Sequence, residues 1–80
     1  MNKARREEIQ KCINKLEDIH NELECIRDDE QDYFDNMPES FQQGEKGEKA
    51  EEAISNIEQV LSNIQEAIDQ LQETINQQNG

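Results

Sequence analysis

The feature that most constrains this chain is a pair of apolar series that step alternately by three and four residues. The second is the more regular: Ala50, Ile54, Ile57, Leu61, Ile64, Ile68, Leu71 and Ile75. It also reads as a seven-residue repeat, KAEEAIS, NIEQVLS, NIQEAID and QLQETIN, over residues 49–76. The first series runs Ile9, Cys12, Leu16, Ile19, Leu23 and Ile26, and resumes at Tyr33 after Glu30 takes the intervening core position. Spacing of this kind puts an apolar seam along one side of an α-helix. No Gly or Pro interrupts residues 2–35, so helix one is expected over 1–35. Helix two is expected over 47–78, with its first turn falling between Glu45 and Glu48, and Asn79-Gly80 supplies a stop signal.

In heptad terms Ile9, Leu16, Leu23 and Glu30 take position a of helix one, with Cys12, Ile19, Ile26 and Tyr33 at d. Ile13, His20 and Phe34 fall at e and widen the stripe. In helix two, Ala53, Val60, Ala67 and Thr74 recur at g beside the seam. Residues 36–46 form the connection. Pro38 blocks a continuous helix there, and Gly44 and Gly47 punctuate further. Asn36, with Glu39 three residues on, is placed to cap a short turn over Met37–Gln43.

Two helices of about 45 Å joined by so short a connection predict an all-α antiparallel hairpin, coiled-coil-like, in one domain. The predicted core draws on Ile9, Leu16, Ile19, Leu23 and Ile26 from helix one, and on Ile54, Ile57, Leu61, Ile64, Ile68, Leu71 and Ile75 from helix two. Matching the seams pairs Ile9 with Leu71, Leu16 with Ile64, Leu23 with Ile57, Ile26 with Ile54, and Glu30 with Ala50. A two-helix core is thin, and the flanking apolar columns have no intramolecular partner. Self-association, most simply a dimeric four-helix bundle, is therefore expected.

Charge narrows the function classes. The chain carries 20 Asp and Glu against 8 Lys and Arg, a net of −12, and only 31% of its 80 residues are hydrophobic. Direct nucleic-acid binding is not expected of so acidic a chain. No apolar run is long enough to span a membrane, and Met1–Gln10 lacks a signal-type apolar segment. Lys3, Arg5, Arg6, Lys11 and Lys15 make the first turns basic, whereas residues 50–80 hold six acids and no base. An antiparallel hairpin brings these two ends together.

Special chemistry is sparse. Cys12 and Cys25 are separated by about 20 Å of helix and face different ways, so they cannot form an internal disulfide. Cys12 reads as a small core residue, Cys25 as a solvent-facing thiol and His20 as a residue flanking the interface. Reduced thiols suit a cytoplasmic setting. No nucleophile–base set, phosphate loop or zinc spacing occurs, and Asp28–Asp32 lacks the central glycine and distal Glu of a calcium loop. The expectation is a non-enzyme without cofactor or metal.

The most unusual stretch is DDEQDYFDNMPE, residues 28–39, with six acids, no base and two of the chain's three aromatics. Its simple reading is a solvated helix end in which Tyr33 and Phe34 close the core. Its functional reading is a recognition patch for a basic protein, with Asp28, Asp29, Glu30 and Asp32 steering and Tyr33, Phe34, Met37 or Phe41 anchoring.

The motif DYFDNMPE at Asp32–Glu39, followed by AEEAI at Ala50–Ile54, resembles a group of short bacteriophage and prophage proteins. The resemblance covers residues 9–70. It implies a phage origin and a bacterial cytoplasm, and it brings no established site. In this chain Gln, Asn and Ser occupy several outer positions of helix two where the group is more acidic. Three function classes follow: a small protein that binds and modulates a host protein through its acidic surface, a self-associating assembly module, and an oligomer that sequesters a small ligand between protomers. The first is the leading expectation.

Overall fold

The structure is a computed structural model that describes residues 1–77. It consists of α1 (Lys3–Asp35), a single-turn α2 (Glu39–Gln42) and α3 (Glu45–Gln77). α1 and α3 pack along each other as an antiparallel hairpin 59 Å long, 15 Å wide and 12 Å thick, and α2 rests against the start of α3. The expected continuation to residue 78 and the Asn79-Gly80 stop lie outside the described residues.

Local signals explain where α1 begins and ends. The Asn2 side-chain oxygen accepts from the Arg5 N–H at 2.9 Å and caps the first turn. At the other end, the Asn36 N–H donates to the Asp32 carbonyl and the Met37 N–H to the Phe34 carbonyl, before Pro38 turns the chain away. Asn36 thus closes α1, where the sequence suggested that it would open the next turn. That turn starts instead from Pro38, whose carbonyl accepts from the N–H groups of Phe41 and Gln42. α3 begins at Glu45, so the connection is shorter than residues 36–46 and Gly47 is helical.

Gly47 is buried in the first turns of α3, directly beneath α2. A Cβ there would overlap the Gln42 carbonyl group and stand 2.6 Å from the Gln42 Cα. Only hydrogen fits at this crossing, which is why a residue that weakens helices is used inside one.

The core runs along one side of each helix. Among the described residues Ile13, Ala50, Ile54, Leu61 and Ile68 are buried, and Ile13 is fully enclosed. Ile9, Leu16 and Leu23 on α1, and Ile57, Ile64, Leu71 and Ile75 on α3, are half-buried. No described polar or charged residue is buried. Helix two therefore uses its expected seam, but helix one is rotated from the expected one. Its a column packs inward together with the e column, Ile13, His20 and Phe34, in place of the d column.

The d column points outward. Ile19 is 45% exposed, Ile26 52% and Tyr33 53%, and Cys12 is exposed as well. Ile26 therefore does not pair with buried Ile54, Cys12 is not a core residue, and Tyr33 does not close the core. Phe34, half-buried, takes that place. Arg27 continues the inward e column, and polar residues are tolerated there because their tips escape sideways. The Arg27 guanidinium donates to Asp28 at 3.0 Å, and His20 Nδ1 lies 2.8 Å from Glu24 Oε1.

Candidate functional site

Two surfaces flank the seam, and they differ in chemistry. On one side, shallow grooves join Gln10 to Gln72, Glu17 and Glu24 to Gln65, and Gln31 to Glu51 and Glu58. This side is polar and acidic. These shared grooves place Gln10 beside the stretch 72–76 of α3, residues 17–24 beside Gln65 and Ile68, and Gln31 beside the stretch 51–59. Glu30 is half-buried.

Columns displaced to the same side of the seam emerge together when two right-handed helices run antiparallel. The other surface therefore joins the outward column of α1 to the g column of α3. The g column is small: Ala53, Ala67 and Thr74 are partly exposed, and Val60 is 44% exposed. The half-buried Ile57, Ile64 and Leu71 form the floor between the two columns. The result is a long apolar face that the hairpin itself leaves uncovered.

At the end of this face lies the hairpin tip. Tyr33, Asn36, Met37, Pro38, Phe41 and Lys46 line one open depression of about 370 Å³. Met37 is half-buried, and Phe41 is 50% exposed with the Lys46 ammonium 5.3 Å from its ring centroid. Such a cation over an aromatic face is attracted by the ring quadrupole. Tyr33, Met37 and Phe41, expected as anchors, are thus brought together. Phe34 is not with them, since it turns to the opposite side and lines a groove with Gln31, Ile54 and Glu58.

The acids of residues 28–32 do not form one cluster. Asp28, Asp29 and Asp32 are exposed around the outer surface of α1, and Glu30 faces α3. Asp28 is engaged by Arg27 at 3.0 Å. Also at this end are Asp35, which accepts from the Gln31 amide at 2.9 Å, Glu39 in the first turn of α2, and Glu45 and Glu48 in the first turn of α3. Asp29 precedes Tyr33 by four residues and therefore stands one helical turn from it, beside the tip depression.

Among the described residues no group of three or more His, Cys, Asp or Glu is arranged to hold a metal ion, and no helix is long and apolar enough to cross a membrane. Cys12 and Cys25 are both free and exposed. The uncovered α1 column was missed by reading position d as core. The signal that could have found it is the e column, whose Ile13 and Phe34 are as apolar as their d neighbours. Comparison of the chain with protein-family models, with curated proteins and with solved structures finds no match.

Proposed function

We propose that this is a non-enzymatic interaction protein of phage type that binds a basic host protein, such as a defence or nucleic-acid enzyme, at its hairpin tip in the bacterial cytoplasm. The observation that carries the reading is the tip depression. Two of the chain's three aromatics, Tyr33 and Phe41, stand half-exposed there beside Met37, in a molecule with few apolar residues to spare. Aromatic residues and Met are enriched at the centre of binding interfaces, with polar residues at the rim. Asp29 stands one turn from Tyr33, and with Asp32, Asp35 and Glu39 it gives this end of the hairpin negative charge that would steer a basic partner.

The test is affinity capture from nuclease-treated bacterial lysate at low and high salt, with mass spectrometry of the retained proteins. The intact chain is expected to retain a basic protein at low salt and to release it at high salt. Met37→Ala with Phe41→Ala is expected to lose that protein while keeping its helicity by circular dichroism. Equal retention by this variant would reject the tip as the binding site.

A further inference from the structure

We infer that the uncovered apolar face is filled by a second copy of this chain, with α1 of each copy lying on α3 of the other and both hairpin tips at the same end. This goes beyond the tip reading and does not depend on it.

Three observations select a second copy as the occupant. The first is area. A compact protein of 9.4 kDa exposes about 5,000 Å², whereas this chain exposes 5916 Å². The excess follows from the 59 Å length of the hairpin, whose side is long enough to supply the roughly 800 Å² that each partner contributes to a stable dimer of ordinary size.

The second is charge. Two copies of a chain with net charge −12 meet at least electrostatic cost where carboxylates are absent. From Ala53 onward the acids of α3, namely Glu58, Glu66, Asp69 and Glu73, keep to the side turned away from this face. The columns that border the face are neutral, with Ala53, Val60, Ala67 and Thr74 next to the seam and Asn56, Asn63 and Gln70 beyond them. A basic partner would find no carboxylate along this stretch of α3.

The third is shape. The grooves on the polar side set residues 17–24 of α1 beside Gln65 and Ile68 of α3. A two-fold axis running along the hairpins keeps those levels across the interface. Ile19 and Ile26 then meet the column of Ala53, Val60 and Ala67 of the other copy, so large residues meet small ones. The outer flank of α1, which includes Lys15, Glu22 and Asp29, comes to lie over the neutral Asn and Gln of the opposing α3. The other two-fold arrangement, α1 on α1, would leave the small columns facing each other. Poor filling opposes it.

The experiment has two parts. Sedimentation equilibrium of the full chain at tens of micromolar is expected to give twice the 9.4 kDa monomer mass, little changed by high salt. A monomer there would overturn the proposal, including the case in which the face serves another protein. Ile26→Glu and Val60→Glu are each expected to lower the association constant at least a hundredfold. Met37→Ala with Phe41→Ala should leave it unchanged, which separates this face from the tip. Because a charged variant can lose its fold along with its partner, the second part uses thiols. In a Cys25→Ser background, native Cys12 is paired with Ala67→Cys or with Tyr33→Cys and the protein is mildly oxidised. A covalent dimer through residues 12 and 67 is expected. Cross-linking through residues 12 and 33 instead, or through neither pair, would overturn the arrangement.

Discussion

The side-chain amide of Gln42 donates to the main-chain carbonyl of Phe34 across 2.9 Å, tying the single turn of α2 to the last turn of α1. The backbone of the same Gln42 presses on Gly47 of α3. One residue thereby joins all three helices, and the junction decides how the chain leaves α1 and enters α3. Replacing Gln42 by Ala removes a part-buried hydrogen bond, and its loss is expected to cost about 1 kcal/mol. Urea unfolding followed by circular dichroism will measure this, and an unchanged midpoint would show that the Met37 N–H, which also donates to that carbonyl, suffices.

Gly44 in the connection and Gly47 in the first turns of α3 should respond differently to alanine. In an ordinary helix Gly→Ala stabilises by up to about 1 kcal/mol. At Gly47 the added methyl would overlap Gln42 main-chain atoms, so α2 must move off α3 and a loss of about 2 kcal/mol is expected. At Gly44 the new Cβ would stand 3.3 Å from the Ser40 carbonyl oxygen, a contact that a small shift relieves. Gly44→Ala is expected to stay within about 0.5 kcal/mol of the parent. Thermal melts of the two variants side by side check the pair, and equal stability would mean that the α2–α3 crossing is not tight.

Ile13 is the most enclosed side chain among those described, at 0% exposure. Truncation to Ala leaves a cavity in a core only one layer deep, and a loss of about 2–4 kcal/mol is expected, most of what such a small fold possesses. Cys12, its neighbour in sequence, is exposed in the hairpin, and Cys12→Ser should cost less than about 1 kcal/mol. Denaturant melts that rank these two the other way would return Cys12 to the core and restore the d column as the seam.

Asp29 and Asp32 lie near the C-terminal end of α1, where no basic residue balances them. Negative charge there opposes the helix dipole. Asp29→Asn with Asp32→Asn is expected to raise the melting temperature at low ionic strength, by the equivalent of about 0.3–1 kcal/mol, carried mainly by Asp32 in the last turn. The gain should shrink as salt is added, because exposed charges are screened. A fall in melting temperature would reveal a structural contact made by one of these carboxylates.

Most of the fold was legible before any coordinates. Leu61, Ile68 and their neighbours repeat too regularly to be anything but the seam of a long helix, and Pro38 leaves a single place for the chain to turn. The tip was half legible. Tyr33, Met37 and Phe41 stood out as apolar residues in an acidic stretch, but whether Tyr33 or Phe34 faced the core depended on the rotation of α1. Adjacent residues on a helix point about 100° apart, so only one of the two could turn inward.

The alternating steps of three and four by themselves determined two long helices and the seam of α3, and the short connection at Pro38 made their pairing antiparallel. On α1, however, the apolar stripe is three columns wide. Ile19 and Ile26 on one edge, and Ile13 and Phe34 on the other, fit a seam with Ile9, Leu16 and Leu23 equally well by periodicity. Only the tertiary structure decided between them. The Phe34 carbonyl is held by Gln42 and Met37, α2 sits on Gly47, and α1 is thereby rotated so that Ile13 and Phe34 face α3 while Ile19, Ile26 and Tyr33 turn to solvent. Periodicity records which residues share a stripe, but the edge of a wide stripe that is buried depends on packing between elements distant in sequence.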